Sequence, residues 1–261
     1  MRWSVAVGDA ESGDVITACA PGEMLATASV GKVFLLLELA HRIRRHELDP
    51  LTRLDRRRVE PVADSGIWQH LATDELPIAD LAVLVASVSD NLATNVLVDH
   101  LGLAAIQRWT ERLRLTGTRL LDVVRDVRTP EHPPCLSTGT AAELVRLLHL
   151  LATDDLPEPG TGPMVLDWLA TGTDLSMTAS AFGLDPLAHT EPDRGVRVVN
   201  KTGTDDGVRA DVGIVFGQQR TLTYAVLANW TPSRHDPERD AVLPAMRHVG
   251  HVVRGMSNTQ A

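Results

Sequence analysis

Segments rich in β-branched residues lie at the two ends of this 261-residue chain, and a long stretch of helical periodicity separates them. At the start, "WSVAV" alternates and then runs into "GDAESGDVI", a Gly/Asp-rich turn between two strands. Towards the end, "GVRVVNKTGT", "VRADVGIVFG" and "TLTYAVLANW" are strand patterns divided by turns, and "RDAVLPAMRHVGHVVRGM" reads as a closing helix. This order predicts an α+β fold in which both ends of the chain build one antiparallel β-sheet flanked by helices, with an all-helical lobe inserted between them. Residues 1–50 and 190–261 are expected to form the discontinuous α/β lobe, and 51–189 the helical one.

Within the middle, "IADLAVLVASVSDNLATNVLVDHLG" is helical with a break at Ser89-Asp90-Asn91 and a terminator at Gly102. "LAAIQRWTERLRL", "STGTAAELVRLLHLLA" and "GPMVLDWLATG" continue the helical signal. Between them, "GTRLLDVVRDVRTPEHPPCLSTGT" reads as a long ordered loop, and loops of that length in compact chains are often functional.

A formal charge of -9 argues against a nucleic-acid binder, which needs a basic face to neutralise phosphates. No apolar run is long enough to cross a bilayer, and the N-terminus lacks the charged, apolar and small-residue segments of a leader, so a cytoplasmic location without membrane attachment is expected. Cys19 and Cys135 do not make a disulfide framework, and neither the cysteines nor the histidines show metal-binding spacing.

The 25 basic residues are all arginine except Lys32 and Lys201. Lysine differs from arginine in being able to lose its proton when buried. Lys32 lies in "ATASVGKVFLLLELA", an apolar helix that Thr27 or Ser29 is placed to cap, and burying an unpaired ammonium there is costly. Ser29 and Lys32 are three residues apart and share a helix face. A lysine desolvated in that setting is able to accept the serine proton and make Ser29 a nucleophile. Lys201 opens Lys201-Thr202-Gly203, where the glycine lets a ligand approach a strand backbone closely. Ser89-Asp90-Asn91 offers a further hydroxyl and an amide.

S-x-x-K, S-D-N and K-T-G in this order resemble the signature of class A β-lactamases and penicillin-binding proteins. The serines Ser29 and Ser89 are 60 positions apart and Ser89 and Lys201 are 112 apart, in keeping with the compact class A type. The resemblance runs over nearly the whole chain and implies a serine hydrolase acting through an acyl-enzyme, without cofactor or metal, in a cleft between the two lobes. It implies Ser29 as nucleophile, Lys32 as proton acceptor, Ser89 with Lys201 as proton relay to the leaving group, and Asn91 as ligand for a substrate amide. Thr202 would contact a substrate carboxylate with help from Arg209. The backbone N–H groups of Ser29 and Thr204, beside Gly203, would form the oxyanion hole. The implied partner is a small β-lactam, amide or ester; the sequence does not specify an oligomeric state.

One element of that family is missing. Its loop glutamate, followed four residues later by asparagine, activates the deacylating water, and "TRLLDVVRDVRTPEHPPCLST" contains no such pair. Asp122, Asp126 and Glu131 read as solvated loop charges, with Asp126 nearest the register of a replacement. Three outcomes stay open: slow β-lactam hydrolysis, a lasting acyl-enzyme, or turnover of another ester or amide. A catalytically silent ligand-binding member is the non-enzymatic alternative. Tyr224 lies mid-strand without a Y-x-N pattern, and Trp68 is placed either to wall the cleft or to pack inside.

Overall fold

The computed structural model describes residues 1–233 and 237–258. β1 (Arg2–Asp9), β2 (Val15–Cys19), β3 (Arg197–Asp205), β4 (Val208–Phe216) and β5 (Thr221–Asn229) form one antiparallel sheet in the order β2-β1-β5-β4-β3. The ends of the chain meet where β1 pairs with β5, Arg2 opposite Asn229 and Asp9 opposite Leu222. β5 is buried from Leu222 to Ala228 because both sheet faces are covered, whereas every residue of the edge strand β2 is exposed.

Among the described residues seven α-helices accompany this sheet: α1 (Lys32–Arg44), α2 (Ile78–Ser87), α3 (Asn91–Leu101), α4 (Leu103–Arg112), α5 (Ala141–Thr153), α6 (Thr161–Leu169) and α7 (Pro237–Ser257). Strand alternation divides the core in two. Ala225 and Leu227 of β5, with Val212 and Ile214 of β4, face the core built on α1 to α6. Tyr224 and Val226, with Val198 and Val215, face a second core with Val242, Met246 and Val253 of α7. Gly250 lets α7 close down on the 3₁₀ turn Thr178–Phe182, since a side chain there would strike the Thr178 carbonyl.

The helices do not pack in the blocks of the chain order. α1, from the first fifty residues, is central to the helical bundle and touches α2, α3, α4 and α6. α5, from the middle of the chain, lies on β1, β4 and β5. A helix buried on every side must be apolar all round, and Lys32 to Ala40 are buried without a break. The acid among them is satisfied internally: Glu38 accepts from Trp109 Nε1 (2.8 Å) and Arg42 Nε (2.7 Å). The long loop has order of its own, for Arg119–Leu120 pairs with Ser137–Gly139, which pairs on its other side with Leu25–Ala26 beside the start of α1.

Candidate active site

Ser29 stands in a 3₁₀ turn, Ala28–Gly31, and α1 begins only at Lys32. The expected α-helical turn is therefore tighter, and neither Thr27 nor Ser29 caps it; Thr27 Oγ1 instead shares a hydrogen bond with Ser137 Oγ at 2.7 Å. Ala28, directly before Ser29, has φ +46, a left-handed conformation that a non-glycine residue adopts at a cost. Strand β3 runs so close that a Cβ on Gly203 would collide with the Thr27 carbonyl and approach the Ser29 N–H. Gly203→Ala is accordingly expected to push the strand off the Ser29 turn and slow reaction at Ser29 by about 100-fold, since displacements near 1 Å carry that scale of penalty. A variant that reacts at the wild-type rate would show that this close approach is not needed.

The second element is the break between α2 and α3. Asp90 caps α3 by accepting from Ala93 N–H at 2.9 Å, while its other oxygen accepts the N–H groups of Ile67 and Trp68, both at 2.8 Å. Those bonds tie the loop 63–68 over the turn, and Asn91 N–H adds a bond to Ser65 O at 3.0 Å. Ser89 is held at φ +54 between them.

Two of the expected residues converge on the hydroxyl of a third. Ser89 Oγ lies 3.2 Å from Lys32 Nζ and 3.1 Å from Lys201 Nζ. Lys32 Nζ also donates to Ser89 O (2.7 Å) and Asn91 Oδ1 (2.8 Å), and Lys201 Nζ to Thr202 O (2.9 Å). Among the described residues, none of these hydrogen bonds reaches Ser29 Oγ. Lys32 is fully buried. Burial, and then the charge of Lys201, push its pKa well below the ordinary lysine value, and the carboxylates of Asp90 and Asp64 offset this only in part. Burial likewise lowers Lys201 to about 8 against the opposing pull of Asp174 and Asp211.

Two cavities, of about 250 and 380 Å³, share Ser29, Ser65 and Thr204 in their walls. The smaller extends along Ser89, Asp174, Lys201 and Thr202; the larger opens towards Asp64, Asn91, Asp126 and Asp205. Asn91 reaches the larger cavity, but both ends of its amide are engaged, Nδ2 donating to Ala63 O at 3.0 Å.

Several expectations change. Arg209 lines neither cavity: its guanidinium donates to the carbonyls of Asp205 and Val208 and lies over the Trp230 ring. Of the two places left open to Trp68, it takes the inner one: it is fully buried, with Nε1 donating to Thr73 O at 3.1 Å. Asp122 is no solvated charge but a buried anchor for Arg125 and Arg128 at 2.8 and 2.7 Å. Burial works to raise its pKa, and those two arginines with the Val123 N–H more than reverse this. Of the three loop acids only Asp126 borders a cavity with Ser29, and its carboxylate accepts the Ala63 N–H at 3.1 Å. Glu131 is exposed and lines neither cavity. Sequence reasoning missed Asp64, Ser65 and Asp174; only Gly66, as a turn signal in "ADSG", pointed towards the first two.

The family model of the β-lactamase enzyme family matches residues 1–250. The chain belongs to the β-lactamase enzyme family. Solved structures with the same fold include a β-lactamase from Sphaerobacter thermophilus DSM 20745, 21% identical with a TM-score of 0.82 over 98% of this chain and 91% of that one. A class A β-lactamase from Mycobacterium abscessus is 22% identical with a TM-score of 0.76, covering 98% and 94%. A mutant of PBP-A in an acyl-enzyme complex with penicillin G is 18% identical with a TM-score of 0.77, covering 98% and 89%. No curated protein matches this β-lactamase-family chain.

Proposed function

We propose that the protein is a serine hydrolase that takes an acyl group onto Ser29 from a β-lactam or a related amide or ester and passes it to water. The observation that carries this reading is Ser89 Oγ between two buried lysine amines, one of them strongly depressed in pKa. Lys32 in its neutral form has a lone pair for a hydroxyl proton, while Lys201, still mostly protonated at neutral pH, donates to Ser89 Oγ. Ser29 Oγ attacks the carbonyl carbon and loses its proton to Lys32, and the Ser29 and Thr204 N–H groups receive the developing oxyanion. When the bond to the leaving nitrogen or oxygen breaks, Ser89 gives that atom a proton and is reprotonated by Lys32. Asn91 positions Lys32 throughout.

Deacylation is the weaker half. Asp126 is the loop acid beside Ser29, and the Ala63 N–H already occupies part of its carboxylate. Slow hydrolysis is expected, so the acyl-enzyme should persist long enough to be weighed. Intact-protein mass followed over time with benzylpenicillin should reveal a single adduct that Ser29→Ala abolishes and that decays slowly in the wild type. An adduct of equal yield on Ser29→Ala would refute Ser29 as the nucleophile. If the wild type remains unmodified by penicillins and by simple activated esters, the acyl-transfer reading fails.

A further inference from the structure

The resemblance implies a carboxylate on the leaving-group side of the substrate, held by Thr202 with Arg209. The smaller cavity is built otherwise. Arg209 points elsewhere, and Lys201 is the basic side chain that lines this space among the described residues. Facing it is Asp174. The carboxylate of Asp174 accepts from Ser176 Oγ at 2.6 Å and Ser176 N–H at 3.1 Å. Burial opposes its charge, yet the hydroxyls of Ser176 and Thr202 and the Lys201 ammonium hold its pKa below the ordinary range. Asp174 is therefore an anion at neutral pH, standing against Thr202, the group that the resemblance reserves for a substrate carboxylate, and against Lys201. A second carboxylate there would meet like charge in a partly desolvated space.

The cleft also does not stop at Asp174. Thr173 and Asp174 border a further cavity of about 310 Å³ whose walls include Leu175, Ala179, Leu184 and Pro186. We propose that Asp174 makes this side of the cleft favour acyl donors whose leaving group is uncharged or cationic over those bearing a carboxylate, with the apolar groove beyond accepting the leaving group's continuation. The inference rests on acyl transfer at Ser29 and deepens it: esters and amides with neutral leaving groups are preferred over β-lactams, whose ring system carries a carboxylate.

The test uses one acyl group on two leaving groups, an N-acetylglycyl thioester of thioglycolamide and the same thioester of thioglycolate, with thiol release as the readout. Wild-type kcat/KM should favour the thioglycolamide ester by at least tenfold, and in Asp174→Asn the ratio should fall towards one through a gain on the thioglycolate ester. The wild-type comparison stands alone should the variant not fold. Equal rates or a preference for thioglycolate in the wild type, or an unchanged ratio in a folded variant, overturns the inference while leaving the Ser29 reading intact. Absence of Ser29-dependent thiol release from both esters overturns the two together.

Discussion

Lys32→Arg should lower the rate of acyl-enzyme formation by roughly 10²–10⁴-fold, the range that a positioned general base contributes. Arginine keeps the cation but does not give up its proton in a protein. The native lysine is fully buried, and its pKa is depressed first by desolvation and then by Lys201. The sign of the pH dependence follows. Acylation needs Lys32 neutral, so its rate falls as pH drops through that depressed pKa. It also needs Lys201 protonated, so it falls again as pH rises through about 8. The wild type should show a bell-shaped profile whose alkaline limb lies near 8, and Lys32→Arg should lose the acid limb along with the rate. Pseudo-first-order adduct formation across pH measures both. A folded Lys32→Arg protein that acylates within tenfold of the wild type would remove Lys32 from the proton path. Lys32→Met, similar in length and without charge, serves if the arginine is too bulky for the site.

Asp90→Ala should give the largest loss of stability, about 3–5 kcal/mol. The carboxylate is almost wholly buried and accepts three backbone N–H groups, from Ala93, Ile67 and Trp68. Removing it strands three donors at once, each at about 1–3 kcal/mol, with partial rehydration of the loop offsetting some of the sum. For a chain of this size the melting temperature should drop by roughly 10 °C or more. Acylation should fall too, because the turn that holds Ser89 at φ +54 loses its tie to the loop 63–68. Asp90→Asn, which keeps one carbonyl oxygen as acceptor, should lie between. Differential scanning calorimetry decides: a loss below about 1 kcal/mol in Asp90→Ala would mean that the three N–H groups find other partners and that Asp90 does not anchor the site.

Gly102 illustrates why the element order is legible in the chain. Helical periodicity before it and a residue tolerant of its φ of +83 both belong to neighbours in sequence, so α3 ends where its local pattern ends. The break at Ser89-Asp90-Asn91 is legible for the same reason, as are the strands of the closing meander, whose β-branched runs are divided by turn residues. The lysines are legible through chemistry: a chain that otherwise uses arginine placed a titratable cation at two positions, and both meet at Ser89 Oγ.

Side-chain direction in aperiodic segments is another matter. "TRLLDVVRDVRTP" holds two acids four residues apart; the fold buries Asp122 between two arginines and places Asp126 in the wall of a cavity that Ser29 also lines. Arg209 lies opposite Thr204 in the sheet register, yet its guanidinium is taken up by the Asp205 and Val208 carbonyls and the Trp230 ring and lines neither cavity. Asp174, in a connection between α6 and β3, enters the cleft with nothing local to announce it. The sequence alone settled the order of helices and strands, the sheet shared by the two ends, and the chemical groups available for reaction, because periodicity and side-chain type are properties of neighbours along the chain. Tertiary structure alone decided which carboxylates stand around Ser29 and which are bound up elsewhere, because a loop side chain points wherever hydrogen bonds and packing from distant segments leave it the lowest free energy.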